Sequence, residues 1–171
     1  MTTPTEVAYE TRFDGVRVRY DSDKSYDELL AALLADIGDK PVLINDAATS
    51  TGGWQSYRER VESHVGPSGL MLFSLIDHGA WITKAGIDRK AMRVILGNPL
   101  IAITMLRHDV SAGLFAPVEV LVMDEAEGHS SLTYVKPSSL MVVEPNPELL
   151  SAAQELDAKL AALATKVTSG S

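Results

Sequence analysis

Two histidines lie beside groups that could support acid–base chemistry. Asp77 and His78 follow a long apolar run, and Arg107 and His108 close a second apolar run that a Gly-Asn-Pro sequence interrupts. An unperturbed imidazole gains and loses its proton near neutral pH, so it can act as a general acid or base. If folding brings His78 close to Arg107 and His108, one site combines imidazole, guanidinium and the backbone amides after Asn98. Such a site would bind an anionic ligand or, with His78, His108 and Asp77 as catalytic groups, act on a small substrate.

The same residues also have structural explanations. Asp77 or His78 would cap a helix that begins near Gly79, because a side-chain acceptor there satisfies free backbone amides. Asn98 followed by proline is typical of a helix start for the same reason, and proline costs nothing at the first helical position. The predicted helix continues through Met105 and has Arg107 and His108 in its last turn, and the amides at its start could hold a carboxylate or phosphate.

A further short helix is predicted where Trp54, Tyr57, Val61 and Val65 recur at helical spacing after two glycines. One interpretation is a helix laid over the core by its two aromatic side chains. The other is a lid whose glycines let it move and whose Trp54 and Tyr57 close over a ligand.

Arg93 and Glu119 lie on two predicted strands, and each shares a strand face with apolar neighbours. If those strands pair, the two side chains meet as a partly covered ion pair. That pair would be either structural or part of a ligand site that also includes Asn98, Met105 and Arg107.

Composition narrows the classes of partner. A net charge of −8 repels phosphate backbones, and no cluster of basic and aromatic residues offsets it, so nucleic acid is not an expected partner. No apolar stretch is long enough to span a bilayer, so we expect no membrane association and a cytoplasmic location. The chain has no cysteine, and its four histidines lack the spacing of a metal-binding helix. Neither a metal nor a cofactor is therefore expected.

Length and periodicity predict one domain over residues 1–171. Alternation of apolar and charged residues predicts a strand at 16–20. Amphipathic helices follow Ser25 and Asn146, each introduced by a capping sequence. Residues 168–171 are expected to form a frayed tail.

Four later segments read as strands. Residues 69–77 are apolar at both even and odd positions, which predicts a strand in the middle of a sheet with both faces covered. Residues 92–96 are of the same kind. Residues 118–123 and 131–135 are separated by a short polar turn and predict an antiparallel hairpin.

A longer pattern in the chain resembles the bacterial family called domain of unknown function 302. It comprises a strand ending in Asp-His, a strand ending in Gly-Asn-Pro, a short helix and a hairpin, and it is carried by FSLIDHGAWITKAGI and ILGNPLIAITMLRHDVSAGLFAPVEVLVMDEAEGHSSLTYVKPSSL. The resemblance implies the TATA-binding-protein class of α+β fold, a curved and mainly antiparallel sheet in β-α-β(4)-α order packed against helices. Relative to that pattern, residues 40–68 are an inserted helical segment, and the short helix ends in Arg107 and His108, where the pattern carries less charge. The family implies no particular chemistry.

These observations favour a small-molecule-binding protein that forms a homodimer. The predicted helices cover only one face of the sheet, so residues 40–68, a second copy or a ligand must close the other face. The pocket would lie between the sheet, the helix after Gly-Asn-Pro and residues 40–68, and its ligand would be a small molecule that could carry a negative charge. Two alternatives stay open: an enzyme that uses His78 or His108 as acid or base, and a homo-oligomeric interaction module without a pocket.

Overall fold

The protein is built on one five-stranded sheet in which every neighbouring pair of strands is antiparallel. A computed structural model describes residues 8–49 and 51–170. Its strands are β1 (Arg17–Ser22), β2 (Met71–Asp77), β3 (Ala91–Gly97), β4 (Val118–Asp124) and β5 (Ser130–Val135). They lie in the order β1-β5-β4-β3-β2. The predicted α+β class and the predicted hairpin of β4 and β5 are both confirmed.

Helices connect and follow these strands, in the predicted order of one strand, a helix, four strands and a final helix. The α-helices are α1 (Tyr26–Ile37), α2 (Ile44–Thr49), α3 (Trp54–Glu62), α4 (His78–Ile82), α5 (Pro99–Leu106), α6 (Pro137–Met141) and α7 (Pro147–Thr168). Short 3₁₀ turns occupy Thr83–Ala85, Val110–Phe115 and Ala126–Gly128.

The two helices that cover the sheet begin at the predicted caps. At α1, the Ser25 hydroxyl accepts a hydrogen bond from the Glu28 amide at 3.2 Å, and the Glu28 carboxylate accepts one from the Ser25 amide at 3.3 Å. At α7, the Asn146 side chain accepts from the Leu149 amide at 3.1 Å. Gly38 ends α1 with φ +99°, a conformation that favours glycine. These caps satisfy backbone groups that the helix itself leaves unpaired.

The core lies between one face of the sheet and the helices α1 and α7, which contact β1, β2, β4 and β5. Alternate residues of the central strands point into it, as their period of two requires. The fully buried large side chains of this core are Leu29, Leu33, Ile37, Leu70, Leu72, Leu96, Met105, Leu132, Leu149, Leu160 and Leu163. Helix α3 packs against α5, so it extends the helix layer on this side.

The prediction that residues 69–77 form a central strand is wrong, because β2 lies at the edge of the sheet. A bulge between Leu72 and Ser74 shifts the register, so that Leu72 opposes Leu96 but Leu75 opposes Val94. The extra residue reverses the alternation of side chains. Apolar side chains therefore reach the core from even positions before the bulge and from odd positions after it.

The prediction of a frayed tail over residues 168–171 is wrong at Thr168. Helix α7 extends through Thr168, which is 8% exposed. Its hydroxyl donates to the Ala164 carbonyl at 2.7 Å, and its own carbonyl accepts from the Ser22 hydroxyl at 2.7 Å. The end of α7 is thus tied to the end of β1. Ser171 lies outside the described residues.

A buried carboxylate joins three distant segments of the chain. The Asp36 side chain at the end of α1 is 2% exposed and accepts from Lys166 Nζ on α7 at 2.6 Å. It also accepts from the hydroxyl and the amide of Ser68, at 2.7 and 3.3 Å. A Cβ at Gly66 would lie 1.9 Å from the Asp36 carbonyl oxygen, so only glycine allows this close approach.

Candidate functional site

Within residues 8–49 and 51–170, helices α1 and α7 lie on one face of the sheet, and only the short helices α4 and α6 contribute residues to a groove on the second face. On this face, residue positions from adjacent strands line up as rows: Arg19, Thr133, Leu121, Arg93 and Ile76 form one row across all five strands. Arg17 and Val135 are opposite each other in the next row. The expectation that helices cover one face only therefore holds for the part of the chain that the structure describes.

A half-open groove of about 640 Å³ lies on this face. Its floor consists mainly of side chains from β4 and β5, including Leu121, Met123, Thr133 and Val135. Phe115, Pro117, Pro137 and Leu140 form a wall at the end where β4 begins and β5 ends. Arg17, Arg19, Arg93, Glu119 and His78 supply the charged and polar side chains of the lining.

The three arginines of the groove differ in their partners. Arg19 donates to Asp21 at 2.8 Å and to Glu125 at 3.2 Å, and these hydrogen bonds raise the pKa of its guanidinium. Arg93 forms the ion pair with Glu119 that strand parity predicted. The hydrogen bond to Glu119 likewise raises the pKa of Arg93. Arg17 makes no ion pair with any described residue, so its guanidinium is free to bind an anion.

The floor contains one hydroxyl without a partner. Thr133 Oγ1 is buried and makes no hydrogen bond within residues 8–49 and 51–170. Because a buried donor or acceptor without a partner is destabilising, this hydroxyl marks a place where a water or ligand oxygen would be favourable.

His78 lies at the opposite end of the groove from the apolar wall. It is the first residue of α4, which Asp77 caps by accepting from the Ala80 amide at 3.0 Å, as predicted. The Nδ1 atom of His78 accepts a hydrogen bond from the Trp81 indole Nε1 at 3.1 Å. An indole nitrogen is only a donor, so Nδ1 must be unprotonated and the neutral ring carries its proton on Nε2. His78 therefore offers a donor, not a base, at its remaining nitrogen.

The structure does not bring His78 together with the residues around the Gly-Asn-Pro sequence. In the β2–β3 ladder, Asp77 opposes Met92 whereas Met71 opposes Gly97. His78 and Asn98 consequently lie beyond opposite ends of that ladder. The Asn98 side chain is occupied at both atoms, since it accepts from the Leu100 amide at 2.8 Å and donates to the Gly69 carbonyl at 2.9 Å.

The other predicted residues on α5 are also distant from the groove lining. Met105 is 1% exposed and belongs to the core. Arg107 and His108 follow the helix at the surface. Arg107 Nε donates to the Ile103 carbonyl at 3.2 Å, and the His108 carbonyl accepts from the Asn146 side chain at 3.3 Å. Arg107 thus contacts the end of α5, and the backbone of His108 contacts Asn146 at the start of α7. These contacts give both residues a structural role.

Trp54 and Tyr57 contact each other on α3, with ring centroids 5.7 Å apart. Trp54 is 50% exposed, and the buried residue of this helix is Val61. Burial, partly offset by the charge of Arg60, raises the pKa of Tyr57. Neither aromatic residue lines the groove.

The sequence matches the model of one known protein family. The family described as Domain of unknown function DUF302 matches residues 47–167. The protein belongs to the DUF302 family. The matched range includes β2–β5 and α3–α6 with almost all of α7, and it begins inside the segment 40–68. No protein with a curated description matches the sequence.

One solved structure of this family supports the fold. It is the crystal structure of an uncharacterized conserved DUF302 protein from Bacillus stearothermophilus, which is 15% identical to this chain. The similarity covers 88% of this chain and 97% of that one, with a TM-score of 0.62. At this level of identity the comparison supports the shared fold alone.

The sequence pattern alone does not mark Arg17 and Arg19 of this DUF302 protein as site residues. Arg17 and Arg19 were visible as the charged side of a half-exposed strand, and the groove wall includes the turn before β4. Their convergence depends on the order of the strands, which no local pattern encodes. The available signal was the alternation of Arg17 and Arg19 with core-facing residues, which assigns both to the face without helices.

Within the described ranges, no group of three or more histidine or acidic side chains is arranged to hold a metal ion. No helix in the same ranges is long and apolar enough to cross a membrane.

Proposed function

We propose that this DUF302 protein binds a small molecule that has an apolar body and an acidic group, in the groove on the second face of the sheet. The observation that carries the proposal is the guanidinium of Arg17, which has no acidic partner among the described residues and lies beside an apolar floor. The net charge of the chain is −8, and the other two arginines of the lining are paired with acids. Concave sites with an apolar lining and a few convergent polar groups are typical ligand sites.

Arg17 is the proposed contact for the acidic group. It is exposed and has no ion-pair partner among the described residues, whereas acidic side chains already neutralise Arg19 and Arg93. A guanidinium matches a carboxylate or sulfonate with two parallel donors. Arg17 opposes Val135 in the sheet, so an anion held there has an apolar surface beside it.

The apolar body of the ligand would lie on Val135, Leu121 and Met123, against the wall that includes Phe115 and Leu140. A volume of about 640 Å³ falls within the usual range for sites that hold small ligands. Burial of this surface by a ligand would contribute the hydrophobic part of the binding free energy.

The test compares two fluorescent probes that differ in one charged group. 8-Anilinonaphthalene-1-sulfonate carries a sulfonate, and N-phenyl-1-naphthylamine has the same ring system without it. We expect one sulfonate probe to bind per chain, and Arg17→Gln to weaken that binding by at least about tenfold, because a hydrogen bond to a charged group contributes on the order of 1.5–3 kcal/mol. Binding of the neutral probe should change less than twofold.

Arg58→Gln is the matched control, because Arg58 is an exposed arginine on α3 outside the groove. It should leave the binding of both probes unchanged. Equal effects of Arg17→Gln and Arg58→Gln on the sulfonate probe would contradict the proposed site. Circular dichroism of each variant establishes that the protein is folded when the probe binds.

The homodimer expected from the sequence is a competing use of the same face. A second copy could cover the floor of Leu121, Met123 and Val135, which is otherwise half-exposed. Sedimentation at several concentrations distinguishes the two, since a monomer that binds the sulfonate probe supports the ligand site. A dimer that Leu121→Glu dissociates would instead support the interface. The expected cytoplasmic location is also part of the proposal and is tested by cell fractionation.

An enzyme that uses His78 or His108 remains the third candidate, and no observation favours it over binding. His108 is exposed at the end of α5, away from the groove. The only basic nitrogen of neutral His78 is occupied by Trp81. These contacts favour binding over acid–base chemistry.

A further inference from the structure

The end of the groove near His78 offers hydrogen-bond donors without net charge. The Nδ1 atom of His78 is held by Trp81 at 3.1 Å, with ring centroids 5.9 Å apart at 73°. The proton of the neutral ring is therefore on Nε2, which no described residue accepts. Nearby, Arg93 is neutralised by its ion pair with Glu119. This end differs from the Arg17 end, where a positive charge has no partner.

The two ends are too far apart for one small polar group. Arg17 begins β1 and His78 follows β2, and these are the two edge strands of a five-stranded sheet. Four interstrand steps of about 4.8 Å place the edge strands about 19 Å apart. A single carboxylate cannot contact both residues. An elongated molecule that crosses the apolar floor can do so.

We propose that the ligand is an elongated acid with a neutral oxygen acceptor, such as a hydroxyl or carbonyl, at its far end. This inference rests on the proposed function, since Arg17 holds the acid group. His78 Nε2–H donates to the oxygen, and Trp81 acts as a positioning residue that keeps the proton on Nε2. A second carboxylate is less suited to that end, because the guanidinium there, Arg93, is already paired with Glu119.

The experiment measures how dodecanoate and 12-hydroxydodecanoate displace the sulfonate probe from the full-length protein. The two acids differ only in the terminal hydroxyl. We expect the hydroxy acid to bind about fivefold more tightly, the gain that one net hydrogen bond provides. His78→Phe should abolish this preference and change dodecanoate affinity less than twofold, because phenylalanine preserves a ring but has no donor.

His64→Phe is the matched control, since His64 is exposed after α3 and does not line the groove. It should keep the fivefold preference. An equal preference in His78→Phe, or none in the unmodified protein, would overturn the inference. If dodecanoate fails to displace the probe at all, the proposed function fails instead, so the two failures are distinguishable.

A second measurement tests the role of Trp81 without relying on affinity. Nitrogen NMR of the imidazole should show His78 of the unmodified protein as one neutral tautomer, protonated on Nε2. Trp81→Phe keeps an aromatic ring but removes the indole donor, so both tautomers should appear and the preference for the hydroxy acid should fall. A single tautomer in Trp81→Phe would show that Trp81 does not position the ring.

Discussion

Replacement of Lys166 with methionine should lower the free energy of unfolding by about 2–3 kcal/mol, although Lys166 is itself half-exposed. This large effect is expected because the partner of Lys166 is a buried carboxylate. The Asp36 carboxylate is 2% exposed, and Lys166 Nζ lies 2.6 Å from it. Without the ammonium group, Asp36 remains a buried negative charge with only the two donors of Ser68. A buried charge that loses its partner is strongly destabilising.

The comparison within the chain is the ion pair of Arg58 and Glu62 on α3. There too the cation is about half-exposed, with nitrogen and oxygen 3.1 Å apart, but the carboxylate is 54% exposed. Pairs of this kind stabilise by about 0.3–0.5 kcal/mol. Arg58→Met should therefore lower stability by no more than about 0.5 kcal/mol. The two variants remove similar cations and differ mainly in the burial of the acid.

A double-mutant cycle separates the pair from its surroundings. Asp36→Asn keeps the shape and an acceptor for Ser68 but loses the charged hydrogen bond, so it should cost about 2 kcal/mol. The variant with both Asp36→Asn and Lys166→Met should cost about 2 kcal/mol rather than the sum, because no unpaired charge then remains. Additivity of the two single changes would contradict the interaction.

The assay is urea unfolding at pH 7, followed by circular dichroism and tryptophan fluorescence. Coincident transitions and an unchanged dependence of stability on urea concentration are required before the free energies are compared. If Lys166→Met costs as little as Arg58→Met, then burial of Asp36 does not govern the strength of the pair and the reasoning is refuted.

Three further outcomes are expected. Burial, followed by the charge of Asp77, raises the pKa of Tyr26 to about 12. The buried, protonated Tyr26 therefore contributes fully to stability below about pH 10, the usual pKa of tyrosine, and this contribution is lost as the pH rises through about 12. Urea unfolding at pH 9 and pH 11 should show that Tyr26→Phe removes part of this loss, and equal losses in both proteins would contradict it. Thr133→Val should leave stability unchanged or raise it by up to about 1 kcal/mol, because a methyl group replaces a buried hydroxyl without a partner; a lower melting temperature would mean that the hydroxyl is satisfied. Gly66→Ala should lower the free energy of unfolding by more than about 2 kcal/mol in the same assay, because its Cβ would lie 1.9 Å from a backbone oxygen.

The features predicted correctly from sequence are those that depend on a few neighbouring residues. The caps at Ser25, Asp77, Asn98 and Asn146 all act within three residues of the helix that they begin. Chemistry of this kind is local, so it can be interpreted without knowledge of the rest of the fold. The order of strands, helix, strands and helix follows from these caps and from the periodicity between them.

The position of β2 could not be predicted in the same way. Apolar residues at both even and odd positions of β2 are typical of a strand with both faces covered. A bulge after Leu72 produces the same pattern in a strand at the edge of the sheet. The outer edge is partly occupied by the Val42 amide, which donates to the Leu72 carbonyl at 2.8 Å. A contact between residues 30 positions apart leaves no trace in the local sequence.

The grouping of His78 with Arg107 and His108 was wrong for a topological reason. Consecutive antiparallel strands place the end of the first strand beside the start of the second. His78 therefore lies near the start of β3, whereas the Gly-Asn-Pro sequence lies at its end. The Arg93–Glu119 pair was predictable because its condition, the pairing of β3 and β4, is met.

The alternation in β1 separates the residues that stabilise the fold from those that would bind the ligand. Val18 and Tyr20 pack against the core, while Arg17 and Arg19 line the groove on the other face. Because successive side chains point to opposite faces, a substitution at Arg17 removes no core contact. Arg17 also has no ion pair to lose within the described residues. A change in binding caused by Arg17→Gln can therefore be attributed to the groove itself, which makes this residue the most direct probe of the proposed site.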